Sequence, residues 1–253
     1  MSHLLQLRGL VKRFGGLTAT DRATLDVRAG EVHALIGPNG AGKTTLIHQL
    51  SGALAPDAGQ IVFAGQDITR RPMHARVHAG LVRSYQITSI FQRLTVLDNI
   101  ALALQAKLPR PLAFWRAARA DRRRYDEAAA IAARVGLADT LDRAAGSLSH
   151  GQQRQLEVGI ALATAPKLLL LDEPMAGMGP DESARMVALL QSLQAERITM
   201  LLVEHDMDAV FRLADRISTL VSGRIVATGT PDEIRAHPEV RRAYLGDELE
   251  PVA

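Results

Sequence analysis

A glycine-rich stretch carries the first residues that could do chemistry. The eight residues Gly-Pro-Asn-Gly-Ala-Gly-Lys-Thr from Gly37 to Thr44 have the spacing G-x-x-x-x-G-K-[ST], between an apolar run and a helical pattern. Glycines let a backbone curl around an anion, and a helix N-terminus adds partial positive charge. We therefore predict a phosphate-binding loop, in which Lys43 reaches the β- and γ-phosphates and Thr44 binds Mg²⁺. The alternative is a glycine-rich turn that arose by chance. The predicted nucleotide contacts of the loop are Gly37, Pro38, Asn39, Gly40, Ala41, Gly42, Lys43, Thr44 and Thr45.

Two adjacent carboxylates end a second apolar run, Lys-Leu-Leu-Leu-Leu-Asp-Glu-Pro at 167–174. Asp172 at the tip of this predicted strand would hold Mg²⁺ through water, and Glu173 would polarise an attacking water. An enzyme that transfers phosphate to an acceptor has no need of a carboxylate aimed at water, so the pair favours hydrolysis. The alternative is a buried strand that happens to end in two acids.

A third motif, Leu-Ser-His-Gly-Gln at 148–152, precedes that strand by about 20 residues and opens a helix that we predict to begin near Gln152. It resembles the L-S-G-G-Q signature of ABC-type ATPases. The resemblance implies two subunits facing head to tail, with Ser149, Gly151 and Gln152 contacting the γ-phosphate of ATP held by the facing subunit. His150 replaces the usual first glycine. The alternative is a plain helix cap at Ser149.

Further positions follow from this resemblance. Gln86 matches the Q-loop, which senses Mg²⁺ and touches the transmembrane partner, and His205 matches the switch histidine that contacts the γ-phosphate. Phe14 matches the aromatic residue that stacks on adenine. Without the resemblance, Gln86 would have no assigned function, His205 would be a structural residue, and Phe14 would pack under a sheet. The implied catalytic residues are Glu173, His205, Gln86 and Lys43, and the implied Mg²⁺ ligands are Thr44, Gln86 and Asp172.

One position departs from the family pattern. Gly179 stands where the D-loop usually carries an aspartate, and Asp181 follows two residues later. The D-loop crosses the dimer interface, so this departure leaves open how the two ATP sites are coupled.

The elements that position these motifs alternate between strand and helix. Apolar–polar alternation predicts antiparallel strands at 3–8, 22–28 and 59–64. Aliphatic runs predict buried strands at 31–37, 168–174 and 199–206, and a hairpin at 217–229 turning at Ser222-Gly223. We predict helices at 43–52, 73–80 and 116–136, with helical spacing over 96–143. Strand–helix alternation predicts a parallel sheet with crossover helices.

The fold class that these elements and the resemblance imply is α/β: a P-loop (RecA-like) ABC ATPase core with an antiparallel β-subdomain and an inserted α-helical subdomain. We expect a single ABC ATPase domain over 1–253. Within it, 1–85 and 155–230 form the nucleotide-binding core with the β-subdomain. Residues 86–154 form the helical subdomain with the signature motif, and 231–253 form a C-terminal tail.

The composition limits the kind of core, the chemistry and the partners that the chain can have. Of the 253 residues, 47% are apolar and only 4% aromatic, so the core must be aliphatic. The chain has no cysteine, which excludes disulfides and thiolate chemistry, and 30 basic against 27 acidic residues are too even to indicate nucleic-acid binding. The longest run without charge is 13 residues at 44–56, against the ~20 that span a bilayer. With charges in 8–13, neither a membrane helix nor a signal peptide is expected. We expect a protein at the cytoplasmic face of the inner membrane, bound there through a partner.

Longer stretches narrow the resemblance to one subfamily. The segments at 37–61, 83–106, 151–183 and 229–246 are similar to ATP-binding subunits of branched-chain (hydrophobic) amino-acid importers. The insert at about 106–127 resembles the longer of that system's two ATPase subunits. The resemblance implies ATP and Mg²⁺ as cofactors. It implies a second ATPase subunit, in a homo- or heterodimer, and two permeases. It also implies a periplasmic binding protein as an indirect partner, and no nucleic acid. Such systems also serve urea, amides and aromatic acids.

Alternative functions remain. The ATPase of the lipopolysaccharide exporter shares the Ala-Tyr-Leu-Gly tail and the Ile-Phe-x-Arg-Leu segment, but usually carries Tyr-Leu-Pro-Gln where this chain has Arg-Ser-Tyr-Gln at 83–86. A nucleic-acid- or ribosome-acting ABC ATPase normally has two cassettes or a long coiled coil, whereas this chain has one phosphate loop and no sustained heptads. A small-molecule kinase would leave the signature motif unexplained.

Overall fold

Two β-sheets form the scaffold of the computed structural model, which describes residues 3–84, 90–106 and 122–245. The strands of the described residues are β1 (His3–Phe14), β2 (Leu17–Arg28), β3 (Val32–Ile36), β4 (Ala58–Phe63), β5 (Gln66–Asp67), β6 (Leu81–Ser84), β7 (Leu168–Asp172), β8 (Thr199–Val203), β9 (Arg216–Val221) and β10 (Arg224–Gly229). The helices of the same residues are α1 (Lys43–Ser51), α2 (Met73–Ala79), α3 (Val96–Ala106), α4 (Arg122–Arg134), α5 (His150–Ala163), α6 (Pro180–Ala195), α7 (Met207–Leu213), α8 (Pro231–Ala236) and α9 (Pro238–Leu245).

The smaller sheet is antiparallel, with the order β2-β1-β4-β5. The three predicted strands are confirmed, but two of them are longer than predicted, because β1 and β2 form a hairpin that pairs Phe14 with Leu17. The pairing slips between Leu7 and Leu10, where Gly9 has a φ of 60°. A bulge of this kind breaks the apolar–polar alternation, which is why the pattern in the sequence stops near residue 8.

The larger sheet has the order β10-β9-β3-β8-β7-β6 and is parallel except for the β9–β10 hairpin. The predicted parallel sheet and the predicted hairpin turn are therefore confirmed. Every residue of β3, β7 and β8 is buried, as expected for strands covered on both faces. The carboxyl ends of these strands lie at one edge of the sheet, so the segments that follow them come together there.

Helix α1 begins directly after Gly42 and ends at Gly52, which adopts a left-handed conformation with a φ of 83°, as predicted. Helix α5 differs from the prediction: it begins at His150, two residues before Gln152, because Ser149 caps it. It continues to Ala163, so the expected boundary between residues 154 and 155 falls inside one helix.

In the described part of the segment between β6 and β7, the helices are α3, α4, α5 and two short 3₁₀-helices, which are joined by turns and by one isolated β-bridge between Thr95 and Ala144. The predicted helix over 116–136 is described from Arg122 to Arg134. Residues 107–121 lie outside the described part, and with them most of the insert at about 106–127.

The core is aliphatic, as predicted: among the buried hydrophobic side chains of the described residues, Phe63 is the single aromatic one. The expected tail is partly helical, because α8 and α9 bury Ile234 and Val240 against Ala34 and Ile36 of β3. Within the described ranges, no helix has the length and apolarity to cross a membrane.

Candidate functional site

The glycine-rich loop joins β3 to α1 and has a backbone that glycine favours. Gly40 and Gly42 have φ values of 79° and 104°, in the left-handed region. A Cβ on Gly42 would lie 2.2 Å from the carbonyl oxygen of Ala19, and one on Gly37 would lie 2.2 Å from that of Leu220. The glycines therefore also allow β2 and β9 to pack against the loop, a requirement that the motif alone does not express.

Lys43 is held by the loop that it follows. Its side chain is buried, and Nζ donates to the carbonyl oxygens of Gly37 at 2.5 Å and Pro38 at 3.1 Å. Burial lowers the pKa of Lys43, while the carboxylates of Glu173 and Asp172 act in the opposite direction. The residue after Lys43, Thr44, is exposed in the first turn of α1.

A cleft of about 500 Å³ opens beside this loop. It is lined by Phe14, Leu17, Thr18, Ala19, Asn39, Gly40, Ala41, Gly42, Lys43, Thr44, Thr45, Glu173, His205, Ser222 and Gly223. Phe14 is 49% exposed, and Lys12 Nζ lies 5.7 Å from its ring centroid. The alternative in which Phe14 packs under the sheet is therefore wrong, and its ring is available for stacking.

Glu173 and His205 meet at the edge of the sheet. Their strands are parallel neighbours, with Asp172 beside Val203, and His205 Nε2 lies 2.6 Å from Glu173 Oε1. Glu173 has a φ of 50°, a conformation that side chains rarely adopt outside functional sites and turns. The structure thus brings together two residues that are 32 positions apart in the sequence.

Glu204 supports this pair and was not predicted. Its carboxylate is buried and accepts hydrogen bonds from the backbone N–H of Met175 at 2.9 Å and of His205 at 3.0 Å. Burial raises the pKa of Glu204, which these hydrogen bonds oppose. Glu204 therefore ties the segment after Glu173 to the segment that carries His205.

Asp172 forms a buried ion pair with Arg83, with Arg83 Nη2 2.6 Å from Asp172 Oδ2. Among the residues described, no group of three or more His, Cys, Asp or Glu could hold a metal ion. Mg²⁺ at a nucleotide site uses one or two carboxylates together with water and substrate phosphates. One carboxylate at Asp172 and the hydroxyl of Thr44 fit that requirement. The third predicted ligand, Gln86, lies outside the described residues.

The signature segment binds a carboxylate of its own chain. The Ser149 hydroxyl donates to Glu182 Oε1 at 2.8 Å, and the N–H of Gly151 donates to the same oxygen at 3.3 Å. The hydrogen bond from Ser149 is the main cause that lowers the pKa of Glu182. A Cβ on Gly151 would lie 2.8 Å from the Glu182 carboxyl carbon, so glycine is needed for this contact. The donors at this helix N-terminus therefore suit an anion.

The plain helix cap is also present at this site. Ser149 and Gln152 form a capping box, in which each side chain accepts a hydrogen bond from the backbone N–H of the other residue. Capping and anion binding coexist here, because the Ser149 hydroxyl accepts from the helix and donates to Glu182. His150 is exposed beside them.

Gly179, at the position of the family's aspartate, is the N-cap residue of α6. It provides no side-chain hydrogen bond to the helix, and a Cβ there would meet open space. A polar side chain would fit at this position without a clash.

Several cleft residues were missed in the sequence. Leu17, Thr18 and Ala19 of β2 line the cleft together with Ser222 and Gly223 of the hairpin turn. The turn docks on the loop, since the N–H of Gly223 donates to the Ala41 carbonyl oxygen at 2.9 Å. The Ser-Gly pair signalled a turn, but nothing local signalled where that turn would pack.

The chain resembles known proteins in sequence and in structure. The family model described as ABC transporter matches residues 20–176, and one described as branched-chain amino acid ATP-binding cassette transporter matches 224–250. The high-affinity branched-chain amino acid transport ATP-binding protein BraF of Pseudomonas aeruginosa is 38% identical, over 96% of this chain and 98% of BraF. LivG of Salmonella typhimurium, with the same description, is 39% identical with the same coverage. The crystal structure of the ADP conformation of MJ1267, an ATP-binding cassette of an ABC transporter, matches with a TM-score of 0.85 and 32% identity, over 98% of this chain and 100% of that chain.

Proposed function

This chain belongs to the family of ABC transporter ATP-binding proteins and is an ATPase of that family, and we propose that it powers an importer of branched-chain or other hydrophobic amino acids. The observation that carries the substrate class is the agreement of BraF and LivG over nearly the whole chain, together with the separate match at 224–250. No observation favours the lipopolysaccharide exporter or a nucleic-acid-acting ATPase.

The cleft beside the glycine-rich loop is the proposed ATP site. The exposed ring of Phe14 stacks on adenine, and the loop from Gly37 to Thr45 surrounds the phosphates with its backbone N–H groups. When ATP binds, the ammonium group of Lys43 leaves the carbonyl oxygens of Gly37 and Pro38 and binds the β- and γ-phosphates. Asp172 and Thr44 hold Mg²⁺, as does Gln86 by resemblance, and the metal supplies charge neutralisation for the phosphates when bound.

Hydrolysis is proposed to depend on Glu173 and His205. Glu173 orients and polarises the attacking water, and it lies within hydrogen-bond distance of His205. His205 and Lys43 stabilise the negative charge that develops on the γ-phosphate. Glu204 fixes the backbone of both segments, so the geometry of the pair is set before the nucleotide binds.

Members of this family work with transmembrane partners and as dimers of ATPase domains. We propose that Ser149, Gly151 and Gln152 grip the γ-phosphate of ATP bound to the facing subunit. The Ser149 hydroxyl and the Gly151 N–H donate to Glu182 in the single chain, so the Glu182 carboxylate has to leave them when the dimer closes. The γ-phosphate then bridges the two subunits. Its loss on hydrolysis removes this bridge, so the dimer opens.

The finer organisation is also part of the proposal. Residues 1–85 and 155–230 serve as the nucleotide-binding core with the β-subdomain, and 86–154 as the helical subdomain that moves the permeases. Residues 231–253 form the C-terminal segment. The partners are two permeases, a second ATPase subunit and, indirectly, a periplasmic binding protein, at the cytoplasmic face of the inner membrane.

Co-purification tests this function. A tagged Glu173→Gln form is trapped with ATP in native membranes, and the proteins that accompany it are identified by mass spectrometry. We expect two permeases and a second ATPase, and the Lys43→Ala form is the control for ATP-dependent trapping. Recovery of lipopolysaccharide-export components, with copies of this chain as the only ATPase, would contradict the proposal and reverse the direction of transport.

A further inference from the structure

The partner of Asp172 is an arginine on the neighbouring strand. Arg83 lies on β6 and Asp172 at the end of β7, and the two strands pair in parallel. Arg83 Nη2 lies 2.6 Å from Asp172 Oδ2, and the two side chains are 6% and 3% exposed. A buried ion pair of this kind neutralises the carboxylate far more effectively than one in water would.

Other charged groups surround this pair. Lys43 is close enough to Asp172 and Glu173 for both carboxylates to act on its pKa. His48 of α1 is also near: burial lowers its pKa, Arg83 lowers it further, and Asp172 opposes both. Lys43 and Arg83 are thus the cations beside Asp172 and Glu173, and Arg83 is the one paired directly with Asp172. Because Arg83 neutralises Asp172, a divalent cation gains little attraction from that carboxylate until phosphates add negative charge.

We propose that Arg83 sets the metal affinity of this site by neutralising Asp172. With Arg83 in place, Asp172 does not hold Mg²⁺ alone, and metal binding depends on the phosphates of the nucleotide. Removing the guanidinium leaves a buried, uncompensated carboxylate, which a divalent cation then satisfies. Arg83 acts through Asp172, its ion-pair partner. The inference rests on the proposed role of Asp172 as a metal ligand.

The test measures ADP binding by calorimetry, with Mg²⁺ and with EDTA, on the purified full-length chain. The ratio of the two dissociation constants gives the enhancement of ADP binding by the metal. We expect Arg83→Gln to increase this enhancement at least about tenfold, while Arg83→Lys, which keeps the charge, stays near the wild type. An unchanged or smaller enhancement in Arg83→Gln would overturn the proposal.

A matched control separates the metal effect from loss of a buried cation. Arg154 pairs with Glu157 at 2.9 Å on α5, and both side chains are buried. Arg154→Gln therefore removes the cation of a comparable pair without touching Asp172. We expect a loss of stability but a wild-type enhancement of ADP binding. The same increase in Arg154→Gln as in Arg83→Gln would overturn the proposal.

A double-mutant cycle tests whether Arg83 acts through Asp172. In an Asp172→Asn background, adding Arg83→Gln should leave the enhancement unchanged, and an effect that persists would contradict the mechanism. The doubly substituted chain lacks both charges and tests only whether the effect runs through Asp172, so Arg83→Met replaces Arg83→Gln if that single variant folds poorly. Asp172→Asn alone separates the two claims: a wild-type enhancement there would refute Asp172 as a metal ligand, and with it that part of the proposed function.

Binding of Mn²⁺ without nucleotide, measured by electron paramagnetic resonance, should be detectable in Arg83→Gln and not in the wild type.

Discussion

Arg76 is a buried arginine whose hydrogen-bond acceptors are backbone carbonyl groups. It lies on α2, is 2% exposed, and burial lowers its pKa to about 10. Its guanidinium donates to the carbonyl oxygens of Gln49 at 2.6 Å, Leu50 at 2.7 Å, Arg71 at 2.8 Å and Thr69 at 2.9 Å. Gln49 and Leu50 are near the end of α1, the helix that begins at the phosphate loop, so Arg76 completes the carboxyl end of that helix.

The cost of removing this side chain follows from these contacts. Arg76→Met keeps much of the apolar stem but removes the donors to four buried or partly buried carbonyl groups. Each lost hydrogen bond costs about 1 kcal/mol once water and small shifts compensate, so unfolding should become about 4 kcal/mol easier. For a domain of this size, that change lowers the melting temperature by about 8–16 °C.

Urea denaturation followed by circular dichroism measures this change. Arg70→Met is the matched control, because Arg70 is an exposed arginine six positions away, and we expect a change within about 0.5 kcal/mol. ATP affinity well below the melting temperature should be near the wild type in both variants, since Arg76 holds the far end of α1. A loss below about 1 kcal/mol in Arg76→Met would refute the reasoning, because it would mean that the carbonyls are satisfied without the guanidinium.

Three further predictions concern the cleft and the facing surface. Phe14→Ala should weaken ATP binding about tenfold by equilibrium dialysis, the scale of base–aromatic stacking, while Phe14→Tyr should not; equal effects would exclude stacking. Gly179→Asp should add an N-cap to α6 and stabilise the chain by a few tenths of a kcal/mol in urea denaturation, and a loss of stability would contradict the open space seen there. Glu182→Gln should lower the ATP concentration needed for dimerisation, followed by light scattering in a hydrolysis-deficient background. The exposed neighbour Asp181 provides the control Asp181→Asn, and an equal effect of both changes would show a general charge effect.

The motifs could be predicted because each is local. Glycine spacing between an apolar run and a helical pattern marks the phosphate loop. Two apolar runs that end in Asp172-Glu173 and in Glu204-His205 mark the edge of a parallel sheet. Since parallel strands end at the same edge, the meeting of Glu173 and His205 follows from strand order.

What the sequence did not reveal depends on contacts between distant segments. The Arg83–Asp172 pair joins residues 89 positions apart, and the Ser149–Glu182 contact joins residues 33 apart. Neither contact leaves a local pattern in the sequence. The first depends on the register of β6 on β7, and the second depends on how α6 packs near α5. The start of α5 was placed two residues late, although the alternative of a helix cap at Ser149 implies the observed start at His150.

The central claim is that this chain hydrolyses ATP with Glu173 as the residue that activates water. The measurement is single-turnover hydrolysis of radiolabelled ATP by wild type and Glu173→Gln, with ATP affinity determined on the same samples. We predict that Glu173→Gln binds ATP as tightly as the wild type and hydrolyses it at least about 10²-fold more slowly. Near-normal hydrolysis by a variant that still binds ATP would contradict the account.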